Sequence, residues 1–219
     1  MKEKLGIIIG VGPGLGLSLT RKFCRKGFKM VMIARRQEAL DEYVSDLANE
    51  KLKAAGYAAD VGDFNSLKNT LNKIHEEQGD CTLLMYNVSI LNPGAPSEID
   101  IESFINDFKV NVAGLLAATQ VVSPQMEGNN DSMILVTGGG LALNPFYEYA
   151  SLSVGKAGIR SLTSSIAQEL KTKGIRVGSV IINGMIEKGT HFDPDSIAEE
   201  FWKLYQDENR KMEKEYIYN

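Results

Sequence analysis

Cysteine and histidine are nearly missing from this chain. Two cysteines, Cys24 and Cys81, and two histidines, His75 and His191, occur in 219 residues, and the four form no familiar zinc spacing, so no metal site is expected. Two distant thiols build no disulfide framework; they fit reduced, buried cysteines. Charge of one sign is lacking as well. The 24 lysines and arginines face 28 aspartates and glutamates, a net of −4, with no basic stripe of the kind that nucleic-acid binding needs. No apolar run exceeds about seven residues, against ~20 for a membrane span. A secretory leader would need a longer apolar stretch than Leu5–Ile9 and a small-residue cleavage site, so the start Met1-Lys2-Glu3-Lys4 reads as cytoplasmic. No repeat, low-complexity tract or linker interrupts the order. What is present is 43% hydrophobic residues, enough for one core, and residues 1–219 read as a single domain.

Short apolar runs alternate with amphipathic stretches, the pattern of an α/β fold: a doubly wound parallel sheet with helices on both faces. Leu5–Ile9, Phe28–Ala34, Ala54–Val61, Thr82–Tyr86, Met133–Thr137 and Ile175–Ile182 read as six strands. Leu15, Leu19 and Phe23 recur at helical spacing, and Lys26-Gly27 closes that helix. A long apolar helix is expected from about Ile101 to Val122 and another from about Ser151 to Lys171. Asp193-Pro194 reads as a cap with proline at the first helical position.

Between the first strand and the first helix stands Gly10-Val11-Gly12-Pro13-Gly14-Leu15-Gly16. Glycines there let the backbone approach a pyrophosphate, and the helix start supplies free N–H groups and a positive dipole. The spacing departs from G-x-G-x-x-G, because Leu15 and Leu17 stand where its third glycine belongs; it is Gly10-x-x-x-Gly14-x-Gly16. That spacing, with the segments after it, resembles the short-chain dehydrogenase/reductase family along nearly the whole chain. The resemblance gives Asp60-Val61 an adenine contact and makes Asn87-Val88-Ser89 the segment after the fourth strand. It makes Asn111 the helix asparagine of a proton relay through water, and Lys156 the lysine of a Tyr-x-x-x-Lys pair. Asn183-Gly184 and Thr190 then cradle the nicotinamide end.

Dinucleotide sites that prefer NAD(H) place an acid at the end of the second strand, where it accepts from the ribose 2′-OH. Ala34-Arg35-Arg36 stands there instead, with no acid before Glu38. A guanidinium suits a 2′-phosphate. NADP(H) is therefore the expected cofactor, NAD(H) the less favoured one, and Arg35 the expected phosphate ligand.

The family resemblance also implies hydride transfer to or from a small carbonyl or alcohol substrate, carried by a Ser, a Tyr and the Lys. Here the two proton-handling positions hold Gly139 and Leu152. Tyr149, near the start of the same helix, is the first substitute donor; Tyr147, Ser151, Ser153 and His191 are the others. The alternative reading is a catalytically silent NADP(H)-binding sensor or interaction protein. By analogy the helices around residues 101–122 and 151–171 pair two copies, giving a homodimer or homotetramer. The short stretch from Met185 to Phe192 implies an open substrate end, or one completed by a partner subunit.

Overall fold

The computed structural model describes residues 4–207 and 213–219, with the main chain alone at 213 and 214. Met1, Lys2 and Glu3 of the start lie outside the described residues. The elements run β1 (Lys4–Ile9), α1 (Leu15–Arg25), β2 (Phe28–Ala34), α2 (Gln37–Asn49), β3 (Ala54–Ala58), α3 (Phe64–Gln78), β4 (Cys81–Tyr86) and α4 (Ile101–Phe108). A π-helical turn, Lys109–Ala113, joins α4 to α5 (Gly114–Met126). Then come β5 (Met133–Gly139), α6 (Ala150–Leu170), β6 (Arg176–Ile182), α7 (Pro194–Tyr205) and β7 (Glu213–Tyr218).

The strands form one parallel sheet in the order β3-β2-β1-β4-β5-β6-β7. Its strands are apolar on both faces because both are covered. Ile7, Ile9, Leu84 and Tyr86 join the core under α3, α5 and α6. Ile8, Leu83 and Met85 face the opposite way, toward α1, α2 and α7. The doubly wound reading therefore holds, with two corrections. The third strand stops at Ala58, so Asp60 and Val61 lie in the turn after it, where Gly62 N–H reaches back to the Asp60 carboxylate at 2.9 Å. A seventh strand, β7, follows α7; its charged first half hides it from a hydrophobicity pattern, and its register against β6 creates it.

The expected long helix over 101–122 extends to Met126 and is not uniform, since one π turn interrupts it. Both cysteines are free and buried as the sequence reads. Burial pushes the Cys24 thiol up to about 11 and the Cys81 thiol up to about 12, so neither is a ready nucleophile. Among the described residues no cluster of acids, histidines and cysteines is arranged to hold a metal. No described helix is long and apolar enough to cross a membrane.

Candidate functional site

Beyond Ile9 the chain turns at Gly10, whose φ of +91° is strained for any residue with a side chain. A Cβ there would come within 2.7 Å of the Asn87 carbonyl oxygen, and one on Gly16 within 2.8 Å of the Val11 Cα. These two glycines are fixed by packing of the turn against β4 and α1. Gly12 and Gly14 differ, because a Cβ on either meets no protein atom within 4 Å. No side chain caps α1 at Gly14, and its first turn carries no acid. Two unhindered glycines before an uncapped helix start leave room for an anionic group against main-chain donors. Leu15 buries its side chain in the core, so only its backbone belongs to the turn.

This turn forms one end of a cleft of about 570 Å³ at the carboxyl ends of β1 to β4. In this strand order the chain winds away in opposite directions from β1 and β4, which is where open α/β sheets bind ligands. Gly10, Gly12, Arg35, Asp60, Val61, Asn87 and Val88 all line it, so the structure gathers these sequence candidates in one place. Arg35 and Arg36 are exposed, and neither guanidinium has a carboxylate or hydrogen-bond partner among the described residues. Asp60 is the one acid in the lining. Ala39, Tyr43, Ile90 and Val110 also line it; no sequence signal marked them for the site, because they matter by position rather than by type.

Asn87 holds the cleft's shape. Its amide donates to the Gly10 carbonyl at 2.9 Å, and its Oδ1 accepts from the Thr137 hydroxyl at 2.8 Å. The turn after β1, the end of β4 and the end of β5 are thereby tied together. Asn111, buried in the π turn, acts on the next residues along. Its Oδ1 accepts from the Ile90 N–H at 2.7 Å, and its Nδ2 donates to the Ile90 carbonyl at 3.4 Å. Gly155 leaves the space for it, since a Cβ there would fall 2.9 Å from the Asn111 Cβ. A single π turn inside a longer helix is a frequent mark of a functional position.

Lys156 points inward from α6 and is 8% exposed. Its Nζ donates to the Thr137 carbonyl at 3.3 Å. Burial alone lowers its pKa to about 8, and no carboxylate among the described residues pairs with it. One turn earlier Leu152 is buried, so no hydroxyl stands at that place. Tyr149 caps α6, its ring tilted against Phe146 at 6.3 Å, and it does not line the cleft. Its neighbours bind the loop after β4: Gly94 N–H donates to the Glu148 carbonyl at 2.7 Å. Tyr147 donates to the Glu148 carboxylate. Ser151 donates to the buried Asp107 carboxylate at 2.7 Å, and Ser153 is bonded to the Phe146 main chain. Both hydroxyls serve packing.

Asn183, Gly184 and Thr190 lie apart from this cleft, in the exposed loop after β6. The loop is tied to the end of β7. Asn183 donates to the Asn219 side chain at 2.9 Å, and His191 stacks on Tyr218 at 4.7 Å. Tyr218 donates to the His191 carbonyl, and His191 Nε2 contacts the Asn219 carbonyl at 2.6 Å. Thr190 bonds within the loop, to the Glu187 carbonyl. Sequence reasoning missed this anchoring because it missed β7.

A family profile described as short chain dehydrogenase matches residues 4–196. A pig (Sus scrofa) protein named dehydrogenase/reductase SDR family member 4 is 26% identical over 214 residues, 97% of this chain and 75% of that one. The 2,3-dihydro-2,3-dihydroxybenzoate dehydrogenase of Bacillus subtilis is 26% identical over 209 residues, 95% of this chain and 76% of that one. Among solved structures, a metagenomic short-chain oxidoreductase in complex with NADP superposes with a TM-score of 0.89 at 21% identity. It covers 98% of this chain and 96% of its own. An NADPH-bound short-chain oxidoreductase from Pseudomonas aeruginosa PAO1, which contains an atypical catalytic center, gives 0.88 at 19% identity, with 98% and 95% covered.

Proposed function

The chain belongs to the short chain dehydrogenase family, and on that premise we propose that it is an NADP(H)-dependent oxidoreductase. It would move hydride to or from a small carbonyl or alcohol substrate, using a proton donor other than a tyrosine at position 152. The observation that carries this reading is the cleft that runs from the glycine turn to two unpartnered guanidinium groups at the end of β2. Gly12, Gly14 and the start of α1 suit the pyrophosphate. Arg35 suits the 2′-phosphate, since a planar guanidinium can bind it bidentately and no strand-end acid opposes it. Asp60 and Val61 would contact adenine, Asn87 and Val88 the middle of the cofactor, and Lys156 the nicotinamide ribose. Asn183, Gly184 and Thr190 would meet the nicotinamide end from the loop after β6. Bound there, the cofactor supplies the hydride; the chain supplies alignment, exclusion of water and a proton. Solved relatives of the same fold that are named as complexes with NADP or NADPH support the choice of cofactor.

The end of the sheet where a substrate would enter carries several apolar side chains. Leu91 after β4, Phe146 and Tyr147 before α6, and Met185 and Ile186 after β6 are all exposed hydrophobic side chains on loops at that end of the sheet. They favour a carbonyl compound with an apolar body over a highly charged one. Side-by-side fluorescence titrations of NADPH and NADH test the cofactor reading. NADPH should bind more tightly, and Arg35→Ala should cost NADPH about 10–100-fold while sparing NADH, at ~1.5–3 kcal/mol for hydrogen bonds to a charged group. Tighter binding of NADH by the parent chain would overturn it. Gly139 and Leu152 are what favour a silent binding protein. NADPH binding with no consumption across a panel of aldehydes, ketones and enones would establish that second reading.

A further inference from the structure

The proposed reaction needs a proton that the usual family residues do not provide, because Leu152 carries no ionisable atom and Gly139 no side chain. Lys156, on the same helix as Leu152, lies against Gly139. Its stem runs along Gly139, with Cε, Cδ and Cγ 3.2, 3.3 and 3.4 Å from where a Cβ would stand, so a serine there would press on it. Its Nζ reaches the Thr137 carbonyl at 3.3 Å, and the Thr137 hydroxyl donates to Asn87 in the cleft wall at 2.8 Å. An ammonium has three N–H donors, and one of them is used.

Three charged groups on elements packed against α6 are bonded elsewhere. Asp107 of α4 accepts from Ser151 and Asn92, Glu215 of β7 pairs with Arg160, and Arg176 of β6 donates to the Tyr205 carbonyl. Tyr149 is turned to Phe146 at the head of the helix.

We propose that Lys156 is itself the proton donor for carbonyl reduction in this chain, an inference that rests on the reductase reading above. As hydride from the reduced cofactor reaches the carbonyl carbon, an Nζ–H bond breaks and an O–H bond forms at the carbonyl oxygen. The N–H electron pair stays on Nζ, and the neutral amine regains a proton from water after the alcohol leaves. In oxidation the neutral amine takes the alcohol's proton. Burial holds the amine near about 8, close to the pH at which a general acid is most effective.

Two measurements test this. In protein labelled with ¹³Cε-lysine, the resonance absent from Lys156→Met should titrate with a midpoint near about 8 in the free chain. A midpoint shared with exposed lysines near 10.5 would overturn the proposal. At saturating NADPH, Lys156→Met and Lys156→Arg should each lose turnover by roughly 10²–10⁴-fold, the worth of a positioned acid. Lys156→Met keeps the stem's volume without a charge, and Lys156→Arg keeps the charge without a proton to release near neutrality. Turnover retained in Lys156→Arg, or lost as deeply in Tyr149→Phe while Lys156→Met stays active, would refute the assignment and leave the reductase reading standing. A parent chain that binds NADPH and turns over no carbonyl removes the reductase reading, and this inference with it.

Discussion

A buried ammonium with no paired carboxylate costs folding free energy, and among the described residues Lys156 is such a group. Its folded pKa, about 8, lies below the ordinary 10.5, so the unfolded chain binds more protons between those values. Stability therefore climbs as pH rises through that window, and below it the whole penalty applies. At ~1.4 kcal/mol per pKa unit the penalty at pH 7 is on the order of 3 kcal/mol. Lys156→Met should thus raise the unfolding free energy measured by urea denaturation at pH 7 by ~1–3 kcal/mol, and abolish the parent's gain in stability between pH 8 and 10. A variant less stable than the parent at pH 7 would show that the amine's bond to Thr137 outweighs its desolvation. At this scale the sequence is informative where chemistry is written in residue type: two arginines where an acid is usual, and a lysine four residues after a leucine. It is silent on Thr137, whose carbonyl and hydroxyl connect Lys156 to Asn87. A threonine at the end of a strand has no distinguishing pattern.

Among the elements, the π turn between α4 and α5 has the most direct effect on the cleft. It holds Asn111 against Ile90, which lines the cleft wall. Asn111→Ala leaves the Ile90 N–H without its partner, at ~1–3 kcal/mol. Thermal unfolding should register that loss, and NADPH titration should show weaker binding as the wall loosens. Asn111→Asp keeps the acceptor for that N–H but turns a carboxylate oxygen on the Ile90 carbonyl, so it should recover little of the stability, and an Asn111→Ala chain as stable as the parent would mean that this bond is not the cause. Apolar periodicity located the helix and its ends within a few residues, yet it could not show the extra residue in the turn. Lys109-Val110-Asn111-Val112-Ala113 keeps an amphipathic pattern in either register. What fixes the register is three-dimensional: a Cβ on Gly114 would come within 2.3 Å of both the Tyr86 hydroxyl and Val61, and Tyr86 donates to the Val110 carbonyl. For the same reason β7 escapes a reading by hydrophobicity. Its strand character comes from pairing with β6 rather than from its residues.

On the scale of the whole molecule, one face of α4 remains uncovered. Ile101, Ile105 and Phe108 recur at i, i+4 and i+7 and are exposed, as are Leu116 on α5 and Val154 on α6. Such a stripe on the helices expected to pair two copies supports a homodimer or homotetramer. Ile105→Glu should shift the mass measured by light scattering toward the monomer at micromolar concentration. An unchanged mass would place the association elsewhere. The alternation of elements and the doubly wound class are legible because a parallel sheet imposes them on the sequence. The association of the loop after β6 with the last strand is not, since it joins segments whose residues carry no shared pattern.

The strand order has a further consequence in time. β1 comes first among the described strands but lies mid-sheet, between β2 and β4. The residues that line the cleft end at Val110, and Asn87 meets its Thr137 partner only with β5, still well before β7. At ~5–20 residues per second, several seconds separate synthesis of the last cleft-lining residue from synthesis of β7. During that interval the loop that carries Thr190 and His191 has no strand to rest on. The lining of the cleft is thus laid down in the chain well before the strand that anchors the loop after β6.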